Sequence, residues 1–374
     1  MSAKETTGGK ATASKAKGNE TIGNETTESE VEILLVGQSS ICDYETIQEA
    51  IDVLEQQCEH TINSAVKHTV ESPVKPAVLY IMQGTYEEQV TIYRSHLHII
   101  GIGKVTIKGS RYAKELDEHG QEIGTFATPT FFVGGRDVVV ENLEVCNTAG
   151  QGEEIGQALA VYAHGDELIF RNCIFRGHQD TLFTGPLPPA PKKQSHFGGM
   201  ELKEHHVSYR QWYDRCYIEG TVDFIFGGAT AYFERCQLHS LRHCYGRTGY
   251  VTAASTPQGC RYGYVFQSCY LTAEDGVTDV FLGRPWREYA QTMFIDCHMG
   301  AHIHPEGWHN WDDIHNEKTV SYSEYNSKHV YEAIGEHGEN QIATRVAWAS
   351  YYKSRSEVLT KEIVFEGTDF WKKV

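Results

Sequence analysis

No stretch of the 374 residues carries eighteen consecutive apolar side chains, so nothing here is built to span a bilayer as a helix. Basic charge is scarce as well: 33 Lys and Arg stand against 50 Asp and Glu, a formal charge of −17. A field of that sign repels phosphates and anionic lipid, so neither nucleic acid nor a membrane is an expected partner. It admits a polyanionic ligand only where basic residues gather locally. The first thirty residues lack the apolar core of a secretory signal. They are expected to form a disordered polar tail (1–30), followed by one domain over 31–374. The chain as written is therefore expected to be cytoplasmic, or secreted if this N-terminus stands in place of a processed one. No Cys-x-x-Cys pair is present, which removes the usual zinc spacing. Hairpin signals are few, which disfavours a closed sandwich.

What the sequence has instead is an internal repeat. Cys173-Ile-Phe-Arg-Gly-His-Gln-Asp-Thr-Leu-Phe183 aligns without a gap on Cys216-Tyr-Ile-Glu-Gly-Thr-Val-Asp-Phe-Ile-Phe226, matching at Cys, Gly, Asp and the final Phe. Weaker copies centre on Leu143, Cys236, Cys269 and Cys297, at steps of 30, 43, 20, 33 and 28 residues along the series. Fixed self-similarity with irregular steps describes stacked rungs joined by loops of different length. The flanking segments, such as Val138–Val140 and Leu168–Phe170, are short, β-branched or aromatic. The expected fold is all-β, a right-handed parallel β-helix with an N-terminal capping helix.

Five cysteines share one rung position, where a small apolar side chain stacks on its copy, so a reduced internal ladder is expected over disulfides. Asp43 is the expected cap of a helix whose Ile47, Ala50, Ile51 and Leu54 follow helical spacing and cover the open end of the coil. Residues 59–76 read as a loop, Ala77–Met82 and a turn at Gly84 as the start of the rungs. Residues 185–207 are a Pro-rich insertion between the two aspartate rungs. Beyond about residue 300 the rung pattern fades into a tail expected to cap the other end.

On adjacent rungs Asp180 and Asp223 would lie about 4.7–4.9 Å apart, measured between backbones. Two carboxylates that close cannot both ionise freely, which suits one nucleophile and one general acid/base. Retaining glycosidases use a similar separation, so sugar hydrolysis competes as a reading. Gln179 and Gln157 offer amide donors for an oxyanion, which acyl transfer needs.

Gly84-Thr-Tyr-Glu-Glu88, Gln157-Ala-Leu-Ala160, Gly177-His-Gln-Asp-Thr-Leu182, Gly220-Thr-Val-Asp-Phe-Ile-Phe-Gly227 and Leu282-Gly-Arg-Pro-Trp286 resemble, in order, the motif set of pectin methylesterases. The resemblance covers about residues 31–350. It implies hydrolysis of galacturonosyl methyl esters in methyl-esterified homogalacturonan or oligogalacturonides by a monomer, with no cofactor and no metal. By motif position Asp223 would be the nucleophile and Asp180 the general acid/base. Gln179 and Gln157 would hold the oxyanion, Arg284 would orient Asp223, and Trp286 would stack on a sugar ring. Thr125, Phe226 and Phe183 are further candidate substrate contacts. The 185–207 insertion departs from the family's short connection and bears on the cleft wall. His302-x-His304 and His205-His206 read as solvated histidines. The rival readings are a polygalacturonase or pectate lyase, which need carboxylate clusters not visible here, and an inert β-helix binding module, which needs neither the Gln pair nor Arg284.

Overall fold

The computed structural model describes residues 31–66, 74–192, 196–329, 345–352 and 358–373. The expected disordered tail lies outside them. Every strand pairing among the ladders is parallel, in one seventeen-stranded and one seven-stranded sheet. The chain coils as a parallel β-helix, with crossovers right-handed by the general rule for such connections. The larger sheet covers two faces because its strands come in pairs separated by a sharp kink. The long strand Val138–Asn147 shows why: residues up to Glu141 pair with Leu168–Arg171, while residues from Glu144 pair with Ile174–Arg176.

The kink residue takes a left-handed conformation on seven successive rungs: Asn142, Asn172, Arg215, Arg235, Ser268, Asp296 and Asn326 all have φ between 47° and 59°. Asn tolerates that region better than most residues. Neighbouring rungs support each other there, Asn172 Nδ2 donating to Asn142 Oδ1 and Arg215 Nε to Asn172 Oδ1. Directly after five of these kinks comes the repeated cysteine. Cys173, Cys216, Cys236, Cys269 and Cys297 are buried and free, and each thiol donates to a carbonyl of the preceding rung at 3.4–3.5 Å. The reduced ladder is what the structure contains. Inside the coil Phe170, Tyr213, Phe233, Phe266 and Phe294 stack with centroids 4.5–5.1 Å apart.

The capping helix, Ile47–Val66, runs further than its sequence suggests: residues 59–66 are helical, 67–73 lie outside the described residues, and only 74–76 are irregular. Ile47, Ala50, Ile51 and Leu54 are fully buried in the main core. Asp43 does not cap this helix, because its carboxylate accepts from Leu35 N–H. Thr46 Oγ1 accepts from Glu49 N–H at 3.3 Å, and the first two N–H groups are taken by a distant residue, the Glu88 carboxylate accepting from Ile47 at 3.0 Å and Gln48 at 2.9 Å. Gly84 is not a turn but sits at a register shift inside the continuous strand Ala77–Glu87. The Gly84–Glu88 motif is thus structural, with Tyr86 buried and Glu88 holding the end cap. Glu88→Ala is expected to lower unfolding free energy by about 1–2 kcal/mol in urea titrations. Catalytic turnover per folded molecule should stay at the wild-type level.

The rungs also continue past residue 300, through Ser321–Tyr325, Lys328–His329 and Ser350–Tyr352. The C-terminal segment does not close the end. Val358, Val364, Phe365, Phe370 and Trp371 lie along the outer face of the larger sheet against Val139, Ile169, Trp212, Tyr232 and Val265. Trp212 is buried under this segment.

Candidate active site

The seven-stranded sheet supplies a floor of consecutive short strands, among them Val161–Ala163, Leu182–Thr184, Ile225–Gly227, Gly249–Ala254 and Val280–Gly283. Leu182 pairs with Ile225 and Ile225 with Thr252, so the residues two positions ahead of Leu182 and Ile225, Asp180 and Asp223, occupy neighbouring rungs. Asp180 N–H donates to Val222 O at 3.1 Å across that step. Both aspartates are themselves left-handed, with φ of 66° and 50°. Such a conformation costs energy for a non-glycine residue and is held in place by the rungs on either side.

The repeated glycine makes the turn possible. A Cβ on Gly220 would meet Phe224 Cβ at 2.2 Å and His178 O at 2.6 Å, because the chain folds back on itself within four residues. Gly227, at φ 125°, passes the Thr184 carbonyl so closely that a Cβ would sit 2.0 Å from its oxygen. Both glycines keep the two rungs at strand spacing.

Arg284 follows the strand Val280–Gly283, its own N–H bonded to Thr252 O. Its guanidinium grips Asp223 with both arms, Nε to Oδ1 at 2.8 Å and Nη2 to Oδ2 at 2.6 Å. Its carbon lies 3.9 Å from the ring centroids of both Tyr250 and Trp311. Two aromatic faces and a bidentate acceptor fix the guanidinium plane, and with it the Asp223 carboxylate.

Asp180 and Asp223 are 8% and 5% exposed, which decides their charge states. Burial pushes Asp180 well above the usual carboxylate range, and the Asp223 charge pushes it further; Arg284 opposes both. Asp223 is raised as well, by burial, but by less, because the Arg284 charge and hydrogen bond oppose it. The two carboxyl groups are therefore unequal, Asp180 holding its proton more tightly than Asp223.

Around them opens a cleft of about 410 Å³ lined by Thr125, Gln157, Gln179, Asp180, Asp223, Phe226, Arg284 and Trp286. Gln157 and Gln179 sit on neighbouring rungs, since Ala158 N–H donates to Gln179 O. Of the residues expected in the site, only Phe183 is elsewhere. It is fully buried beneath the floor, 4.7 Å from Tyr162, 5.1 Å from Phe126 and 4.9 Å from Phe226 between ring centroids, and it presents no face to a ligand. Its register partner Phe226 does line the cleft.

The sequence reading missed Tyr250 and Trp311, as well as Phe126, Pro191, Lys192, Phe197 and Arg287, which complete the cleft wall. Pro191, Lys192 and Phe197 come from the insertion, which folds back over the floor: Met200 N–H donates to Phe126 O, and Tyr93 Oη to Glu201 O. The histidine pairs are not simply solvated. His302 is buried, the His304 ring stacks on Phe281 at 4.3 Å, and a His206 ring nitrogen bonds Gly134 O. No group of three or more His, Cys, Asp or Glu gathers as a metal site among the described residues. No described helix is long and apolar enough to cross a membrane. Arg176 and Arg247 are both engaged away from the cleft, with Glu144 and Glu219 and with Glu153.

Two carboxyl groups on adjacent rungs of a parallel β-helix, one of them clamped by arginine, make this cleft a candidate carboxylate-based catalytic site. The chain belongs to the pectinesterase family, which it matches over residues 34–186 and 197–368. It is 31% identical over 299 residues to Pectinesterase 31 of Arabidopsis thaliana, covering 78% of this chain and 80% of that protein. It is 30% identical over 314 residues to the Arabidopsis thaliana protein named "Probable pectinesterase/pectinesterase inhibitor 13", covering 81% of this chain. It spans only 44% of that protein's length, and 37–58% of three similar Arabidopsis relatives. The pectin methylesterase from carrot superposes with a TM-score of 0.67 at 26% identity, covering 87% of this chain and 89% of the carrot enzyme.

Proposed function

We propose that this chain hydrolyses methyl esters of galacturonosyl units in pectin or its oligosaccharides, releasing methanol. The observation that carries the reading is the geometry of the pair: Asp223 gripped by the bidentate Arg284, with Asp180 buried one rung away in the same cleft. Family membership supports the substrate class.

In this reading Asp223 attacks the ester carbonyl carbon. The carbonyl oxygen becomes an oxyanion facing the amides of Gln157 and Gln179. When the intermediate collapses, the methoxy oxygen leaves with the Asp180 proton as methanol, and the galacturonyl group stays on Asp223 as a mixed anhydride. Asp180, now a carboxylate, takes a proton from water as that water attacks the galacturonyl carbonyl. Asp223 departs as a carboxylate, Asp180 is again the acid, and the galacturonic acid released loses its proton to solvent to become galacturonate. Trp286, Thr125 and Phe226 line the path of the sugar chain.

The test is product analysis on methyl-esterified oligogalacturonide, following methanol, new reducing ends and unsaturated ends together. Methanol alone is expected. Reducing ends or unsaturated ends would transfer the chain to glycosidic cleavage, and no product would favour a binding module. Gln179→Ala is expected to lower kcat by about 10²–10³ with a small change in KM, the signature of a donor that acts on the transition state.

A further inference from the structure

The outer face of the seven-stranded sheet carries a row of side chains set by register: Phe132 pairs with Tyr162, Tyr162 with Phe183, Phe183 with Phe226 and Phe226 with Ala253. Their chain neighbours Phe131, Val161, Leu182 and Ile225 belong to the core inside the coil. The row is the floor that a linear sugar chain lying along the coil would need. Only Phe226 and Ala253 line the cleft. Phe132, Tyr162 and Phe183 are buried, with Leu187, Phe197, Met200 and Leu202 of the insertion packed against their cluster.

The path of the insertion accounts for the difference. It leaves the exit end of the strand Leu182–Thr184 and crosses the sheet to Phe126, which precedes the strand Phe131–Val133; there Met200 N–H donates to Phe126 O at 3.0 Å. Gly199 comes so close that a Cβ on it would lie 2.3 Å from the Phe126 carbonyl. On its return Glu201 O accepts from Tyr93 Oη at 2.9 Å and a His206 ring nitrogen bonds Gly134 O at 2.8 Å, beside the exit ends of the strands Val90–Ile92 and Phe131–Val133. The two walls meet above the floor, where Phe126 of one and Phe197 of the other stand edge to face with centroids 5.4 Å apart. The groove is closed on the Asp180 side of the pair and keeps its floor on the Asp223 side. Residues 187–196 fall outside the family match, so this end wall includes chain that the family model does not share.

Resting on the proposed esterase reading, we infer that the site acts at chain ends. The end wall stops the sugar chain beside Asp180, so the ester attacked belongs to the terminal unit on that side or to its neighbour. Methyl-esterified oligogalacturonides are then the substrate class. In a long polymer nearly every ester is internal, and an internal ester reaches Asp223 only if the chain continues through the wall.

The test locates the first ester lost from fully methyl-esterified hexagalacturonide by tandem mass spectrometry, and measures kcat/KM per ester on esterified chains of increasing length up to polymeric pectin. Wild type is expected to lose first an ester at or next to one and the same chain end in nearly all molecules. Each chain offers one acceptable end, so a tenfold longer chain should be about tenfold poorer per ester. Gly199→Val, whose side chain cannot fit beside the Phe126 carbonyl, should detach the insertion from the opposite wall, move the first loss to internal esters and flatten the dependence on length. Circular dichroism checks that this variant folds, and wild type alone decides if it does not. Internal esters lost first by wild type, or a per-ester rate independent of length, would overturn the closed end and leave the esterase reading standing. A folded Gly199→Val with the wild-type pattern would overturn the insertion as the cause. No methanol at any length would remove the esterase reading and this inference with it.

Discussion

Asp223→Asn should abolish methanol release, to roughly 10⁻⁴ of wild type or less, the scale seen when a catalytic nucleophile is removed. The substitution keeps the shape of the side chain and one acceptor for Arg284, so the cleft stays assembled. What it removes is the negative oxygen that forms the acyl bond. It also removes the counter-charge of a guanidinium held between Tyr250 and Trp311. A buried cation without its partner is costly, and breaking such a pair destabilises by about 3–5 kcal/mol when nothing compensates. The variant should unfold at a lower temperature than wild type at pH 7, by less than that full penalty, because the amide oxygen still accepts. A variant retaining more than a few per cent of the activity would remove Asp223 from the chemistry.

The same change one rung away should move stability in the opposite direction. Asp180 has no arginine of its own, and burial raises it well above the usual carboxylate range. A folded-state value above the unfolded one means the folded chain binds more protons between the two. Its contribution to stability is then present at low pH and declines as pH rises from the unfolded value toward the folded one. Asp180→Asn removes that decline. It should equal wild type in melting temperature near pH 4 and exceed it increasingly toward neutrality, while activity falls by about 10²–10⁴ for want of the proton donor and base. Paired thermal melts of Asp180→Asn and Asp223→Asn across that pH range test the polarity of the pair. Shifts of the same sign in both would mean that the two carboxylates are equivalent.

Much of this site is legible in the sequence because it rests on local repetition. The aligned Cys, Gly and Asp positions of 173–183 and 216–226 give the rung register directly, and Arg284 is marked by its Gly-Arg-Pro-Trp setting. Register says which residues are neighbours but not which face is solvated, which is why Phe226 lines the cleft and its partner Phe183 lies under it. What the sequence hides are contacts between distant segments. Beside the local Thr46, the first turn of the helix is held not by nearby Asp43 but by Glu88, forty residues along the chain. Nothing around Tyr250 or Trp311 announces that the two rings close on one guanidinium. The helix past residue 59 is equally hidden, since its sequence is polar and continues into Pro-containing chain. The insertion reads as a loop from its prolines, but only its return over Phe126 and Tyr93 brings Lys192 to the cleft.

The most direct measurement is the infrared carboxyl spectrum of the folded protein at neutral pH, where a protonated side-chain acid absorbs apart from carboxylates. The unequal pair predicts a protonated-acid band in wild type that persists in Asp223→Asn and vanishes in Asp180→Asn. Absence of the band from wild type, or its survival in Asp180→Asn, would contradict the assignment of acid and nucleophile.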